Sequence, residues 1–145
     1  MDTIKLKLTT TQTIDEVGNE EIIELITEAV MERNDRCIII NYDESDLSEI
    51  EGTKTRLRIF ENKLIMTKIG GISSRMEFEE NKSYSNLYST PYGAFDLSFN
   101  TSSYNYRLDE FGRGSVYIEY TVIFGGTEES KNKIQIDILY TIFLA

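Results

Sequence analysis

The sequence predicts an all-β domain, an antiparallel up-and-down β-barrel of roughly eight to ten strands. Two observations predict it. Apolar and polar side chains alternate through most of the chain, the mark of strands with one buried face. Gly and Asn punctuate that alternation at hairpin intervals, while Pro occurs only once. Connections of roughly two to five residues make a meander, and a twisted meander removes its exposed edges by closing on itself.

Taken in order, Ile4, Leu6 and Leu8 alternate with Lys5, Lys7 and Thr9. The segment from Glu20 to Arg33 is ambiguous. Its Ile22, Ile23, Leu25, Ile26, Ala29 and Val30 fall at helical spacing, and periodicity alone favours an amphipathic helix. The Ile38–Ile40 run reads as a buried strand, with Cys37 at its start as a small core hydrophobe. Leu57 and Ile59 alternate with Arg56 and Arg58, then Glu61-Asn62-Lys63 turns the chain into a strand from Leu64 to Ile69. Met76 and Phe78 mark the next strand, closed by Asn81-Lys82. Thr90-Pro91-Tyr92-Gly93 is a β-turn, because Pro pre-sets φ at its second position and Gly relieves the exit. Phe95, Leu97 and Phe99 form one alternation, and Tyr104, Tyr106 and Leu108 another. Gly112-Arg113-Gly114 turns into Val116, Ile118, Tyr120, Val122 and Phe124. The last strand carries Ile134, Ile136, Ile138, Tyr140 and Ile142. One domain spans 1–145.

Composition excludes much chemistry. With no His and one Cys in 145 residues, Ser-His-Asp triads, Cys-His pairs, disulfides and thiolate–imidazole zinc sites fall away. No phosphate-loop or dinucleotide fingerprint occurs. Asp43-Glu44-Ser45-Asp46 starts like a calcium loop but lacks the sixth-position Gly. No cofactor or metal is therefore expected. The net charge of −10 argues against a nucleic-acid partner. It is unevenly spread: 13 acids lie between Asp15 and Glu51 against Arg33 and Arg36, whereas Lys54, Arg56, Arg58, Lys63 and Lys68 follow. The two segments either face solvent or pair within the fold or between subunits. No apolar leader follows Met1, and no apolar run approaches the roughly 20 residues a bilayer span needs, so a cytoplasmic protein without a membrane partner is expected.

The strings Glu51-Gly52-Thr53-Lys54-Thr55, Ser74-Arg75-Met76-Glu77-Phe78-Glu79, Leu87-Tyr88-Ser89-Thr90-Pro91-Tyr92-Gly93 and Leu108-Asp109-Glu110, in that order, resemble the YwiB-like family of small bacterial proteins. The resemblance runs from Lys5 to about Asp137. It implies a calycin-like barrel akin to lipocalins, and a strand rather than a helix at Glu24–Glu28. It carries over no catalytic residue.

Tyr is the informative excess: seven of nine lie between Tyr84 and Tyr120. Tyr pairs a large apolar surface with one polar tip and suits a pocket wall or a core position with its hydroxyl at a barrel end. Candidate ligand-contacting residues are Arg75, Tyr88, Tyr92, Tyr104, Tyr106 and Tyr120. If Arg75 points inward it needs Glu77, Asp96 or an anionic ligand. Glu77, Asp109 and Glu119 lie mid-strand on the polar phase, and they serve as acid and base only if they converge. Three functional expectations follow. The first is a small apolar or amphipathic ligand inside the barrel. The second is a packed scaffold acting through its exterior, as a homodimer or interaction module, motivated by Leu139 and Phe143 opposite Ile138 and Tyr140. The third is a carboxylate or Tyr enzyme.

Overall fold

The computed structural model describes residues 1–13, 18–43, 53–70, 73–124 and 128–142. Among them are ten strands and no helix: β1 (Asp2–Thr13), β2 (Glu20–Arg33), β3 (Ile38–Asp43), β4 (Lys54–Ile59), β5 (Lys63–Ile69), β6 (Ser74–Glu79), β7 (Ser83–Thr90), β8 (Gly93–Leu108), β9 (Gly114–Phe124) and β10 (Glu128–Ile142). All neighbours are antiparallel, in the order β6-β5-β4-β3-β2-β1-β10-β9-β8-β7. The first and last strands pair in the middle of this order, so the sheet curls and its two ends, β6 and β7, meet. There Ser73 and Ser89 exchange two backbone hydrogen bonds of 3.0 Å. The Asn86 side chain donates to the Arg75 carbonyl at 2.7 Å. The result is a nearly closed barrel with one lightly sewn seam.

The strand that the family resemblance implies at Glu24–Glu28 is present as part of a 14-residue strand, against the helical periodicity of Glu20–Arg33. On it Ala29 and Met31 are buried, while Ile22, Ile26 and Val30 share the outer phase with Glu24, Glu28 and Glu32. A spacing of four is one helical turn, but it is also every second outward residue of a strand. The register with β1 over its whole length, Asp2↔Met31 to Thr13↔Glu20, decides the matter.

Two strand irregularities reset the alternation. Between Thr101 and Ser103 the pairing with β9 skips Ser102, so Phe99 and Thr101 point inward before the bulge and Tyr104 and Tyr106 after it. The two alternations read separately in the sequence are thus one strand, β8. Near the end of β10 the pairing with β1 skips Leu139, which leaves Ile138 buried but turns Tyr140 out to 53% exposure. Tyr140 therefore does not continue the buried phase of Ile134–Ile138. Cys37 precedes β3 and is only half-buried, outside the core cluster. The calcium-like loop beyond Asp43 lies outside the described residues, as does Phe143.

The interior is filled by side chains. Ile4, Leu6, Ile40, Leu57, Leu64, Phe78, Val116, Ile118 and Ile136 are fully buried in one cluster. Phe78 on β6 reaches across to Tyr120 on β9, ring centroids 4.6 Å apart, and to Phe99 on β8 at 5.8 Å. The middle of the barrel is a packed core.

Candidate functional site

The inward faces of β3, β4, β5 and β6 are stacked in layers by their register. Ile38, Ile59, Leu64 and Phe78 form one layer, and Ile40, Leu57, Met66 and Met76 the next. Continuing the same phase outward, the third layer is Tyr42, Thr55, Lys68 and Ser74. Polarity thus rises abruptly at one end of an apolar interior. Tyr42 and Thr55 are buried, and Thr53, next on the inward phase of the chain, is also buried. The Thr55 Oγ1 and Ser74 Oγ atoms are shielded from solvent and have no hydrogen-bond partner among the described residues, as is also true of Thr101 Oγ1 on β8. An unpaired buried hydroxyl costs about 1–3 kcal/mol, so this layer is a destabilising arrangement unless something binds there. Beside it at the seam, Ser74, Met76, Asn86, Leu97 and Phe99 border a crevice that is closed in this structure, with no room for a water molecule.

The opposite end carries Tyr104 and Tyr106. Tyr104 Oη lies 2.6 Å from the Phe60 carbonyl oxygen and 2.9 Å from that of Lys63, so its one hydrogen is shared between both ends of the β4–β5 turn. Burial pushes its pKa well above the usual Tyr value, with the charge of Tyr106 adding to it. This tyrosine is a strut. Tyr104→Phe should cost about 1–2 kcal/mol near neutrality, read by chemical denaturation. A folded-state pKa raised above the unfolded 10.0 means that the hydroxyl's contribution is complete below pH 10 and is lost as pH climbs through the raised value. The stability gap between wild type and variant should therefore close above pH 10; a gap that widens there refutes the assignment.

Tyr106 borders an open mouth of about 420 Å³ with Arg33, Arg36, Cys37, Glu61 and Asp109. Burial, then Glu61 and Asp109, raise its pKa. Arg33 is engaged there, donating to the Glu110 carbonyl at 3.0 Å.

The five sequence candidates whose side chains are described do not converge. Arg75 points outward and faces Glu77 at 3.6 Å, with neither residue in the core. It is a surface pair, worth little. Tyr92 sits on the β7–β8 turn at 86% exposure. The Tyr88 side chain lies outside the described residues. Tyr104 and Tyr106 share one barrel end. Tyr120 is a core ring, its pKa driven up by burial, and it also borders an outer groove of about 480 Å³ with Glu119, Lys131 and Asn132. The three carboxylates are dispersed too. Asp109 is not mid-strand: it lies in the β8–β9 turn, where its Oδ1 accepts the amides of Phe111 and Arg113. Glu119 accepts the Tyr117 hydroxyl at 2.7 Å, a bond that pushes the Tyr117 pKa up to about 12. Among the described residues no three Cys, Asp or Glu side chains gather as a metal site. Among the described residues there is also no helix long and apolar enough to cross a membrane.

Sequence reasoning missed the polar layer because it is built from four strands, each contributing one unremarkable residue. The available signal was that the inward phase of each strand ends in a polar residue: Thr55 before Leu57, Lys68 after Met66, Ser74 before Met76.

The crystal structure of the ywiB protein from Bacillus subtilis is similar to this fold, with a TM-score of 0.74 and 19% sequence identity, over 96% of this chain and 93% of that one. No curated protein matches the chain. Residues 6–136 match the family model described as a domain of unknown function, DUF1934. With nearly the whole barrel inside that match, and a YwiB-like structure of the same fold, the chain belongs to the DUF1934 family.

Proposed function

We propose that the protein binds a small amphipathic molecule at the polar end of a calycin-like barrel, its head on the Thr55–Lys68–Ser74 layer and its apolar part between β6 and β7, where the closed crevice opens as those strands part. One observation carries this reading: two solvent-shielded hydroxyls without hydrogen-bond partners among the described residues, Thr55 Oγ1 and Ser74 Oγ, in a layer to which β5 contributes Lys68. Hydroxyl and ammonium donors together suit an acidic, acceptor-rich head such as a carboxylate. The packed middle of the barrel supports a ligand held at one end rather than along the axis. Met76, Leu97 and Phe99 offer the apolar wall. Entry parts β6 from β7, where the stitching is lightest.

Thr55→Val removes an unpaired hydroxyl at nearly constant shape. It should raise stability by about 1 kcal/mol and weaken binding of decanoate, used as a probe, roughly tenfold by calorimetry. Decylamine, with the opposite head charge, should bind poorly to either protein. Absence of decanoate binding, or binding indifferent to Thr55→Val, overturns the reading.

A further inference from the structure

The outer face of β2, β3 and β4 holds a charge pattern that the barrel itself leaves unanswered. In one cross-strand row, Glu32 on β2 stands opposite Ile39 on β3, which stands opposite Arg58 on β4. The acid and the base are two strands apart, about 9.5 Å between backbones, with a hydrocarbon side chain between them. Neither carries an ion pair among the described residues. Further along the same face Glu28 is exposed on β2 and Lys54 on β4, again on opposite sides of β3. The neighbouring row is Val30, Asn41 and Arg56, where Arg56 Nε donates to Asn41 Oδ1 at 2.9 Å and is already satisfied. The acidic segment and the basic segment of the sequence thus become parallel stripes flanking one strand.

We propose that this face is the contact of a homodimer, with a two-fold axis lying in the contact plane and running along β3. The occupant follows from the charge pattern. Such an axis lays β2 of each copy over β4 of the other and preserves position along the strands. Glu32 then meets Arg58 of the second copy, twice by symmetry, and Ile39 meets its own copy on the axis. Glu28 meets Lys54 of the second copy. The two-fold perpendicular to the strands stacks β2 on β2, acid on acid, and is disfavoured by like charge. The half-buried Ile39 supplies apolar contact on the axis, and Val30, 37% exposed, lies over the aliphatic stem of Arg56 of the second copy. Asp43 at the end of β3 meets its own copy, so attraction centres on the Glu32–Ile39–Arg58 row. A three-strand patch on a convex barrel is small for an interface, and its charges sit near solvent, so the association is weak and sensitive to salt. It does not depend on the ligand reading.

Sedimentation velocity tests it. The wild type should show a concentration-dependent dimer at low salt whose dissociation constant rises at least tenfold in about 0.5 M salt. Glu32→Arg and Arg58→Glu should each abolish the dimer, and the double variant should restore it, because the swapped charges meet again across the axis. Glu32→Gln and Arg58→Gln, gentler changes at the surface, should each weaken it, and circular dichroism reports whether every variant keeps its strands. A wild type that stays monomeric at millimolar concentration in low salt overturns the proposal. So does a dimer indifferent to both charge reversals, which would place the contact elsewhere, for example at Leu139 and Tyr140.

Discussion

Phe78→Ala should remove about 4 kcal/mol of stability, the largest loss expected from any single truncation in this core. Phe78 is fully buried on β6, a strand at the end of the sheet order. Its ring sits among Tyr120 of β9 and Phe99 of β8, on the far side of the seam. Where backbone pairing between β6 and β7 is sparse, this aromatic triplet holds the two ends of the sheet together by packing. Truncation leaves a cavity and withdraws that clamp together. For a domain of this length the loss should lower the melting temperature by roughly 10–15 °C, followed by circular dichroism. Phe78→Leu should recover more than half of it. A Phe78→Ala variant within about 1 kcal/mol of wild type would show that the ladder, not the rings, closes the barrel.

Gly114→Ala should cost about 3 kcal/mol, a comparable loss from a single added methyl group. Gly114 opens β9 at φ +130°, a backbone that L-residues rarely adopt, and a Cβ there would overlap the Arg107 carbonyl oxygen. That oxygen belongs to the β8 backbone paired in the same hairpin and cannot step aside without breaking the ladder. Gly18 provides the control. At φ +88° it has the strained dihedral, but nothing lies within 4 Å of the added methyl. Gly18→Ala should therefore cost only about 1 kcal/mol, from backbone conformation alone. Equal losses at the two positions would mean that the close approach to Arg107 contributes nothing. Denaturant midpoints at constant slope give both values.

Much of the barrel was legible in the sequence because its information is local. The turns at Glu61-Asn62, Asn81-Lys82, Thr90–Gly93 and Gly112–Gly114 lie where Gly, Asn and Pro demanded them, with Asn81 at φ +63°. The alternation of Ile4, Leu6 and Leu8, or of Val116, Ile118 and Tyr120, mapped directly onto buried positions. What failed did so where a local pattern has two readings. Ile22, Ile26 and Val30 satisfy a helix and an outward strand face equally; periodicity misleads there, the family resemblance gives the strand, and pairing with β1 supplies the physical reason. The phase change between Phe99 and Tyr104 was visible, yet a turn and a one-residue bulge produce the same signature. The candidate site was least legible. Tyr-rich spacing drew attention to Tyr104 and Tyr120, which serve as strut and core, while Thr55 and Ser74 acquire meaning only through register between strands distant from simple inspection. Likewise the stripes of Glu32 and Arg58 are ordinary exposed charges until β3 is placed between them.

The light closure between β6 and β7 gives the cylinder a preferred line of rupture. Elsewhere, opening any gap means breaking a run of ladder bonds at once; here the sparse Ser73–Ser89 and Asn86–Arg75 links hold the wall shut. Strain on the wall is thereby relieved first on one side, where the fewest bonds must break and the rest of the cylinder keeps its ladder.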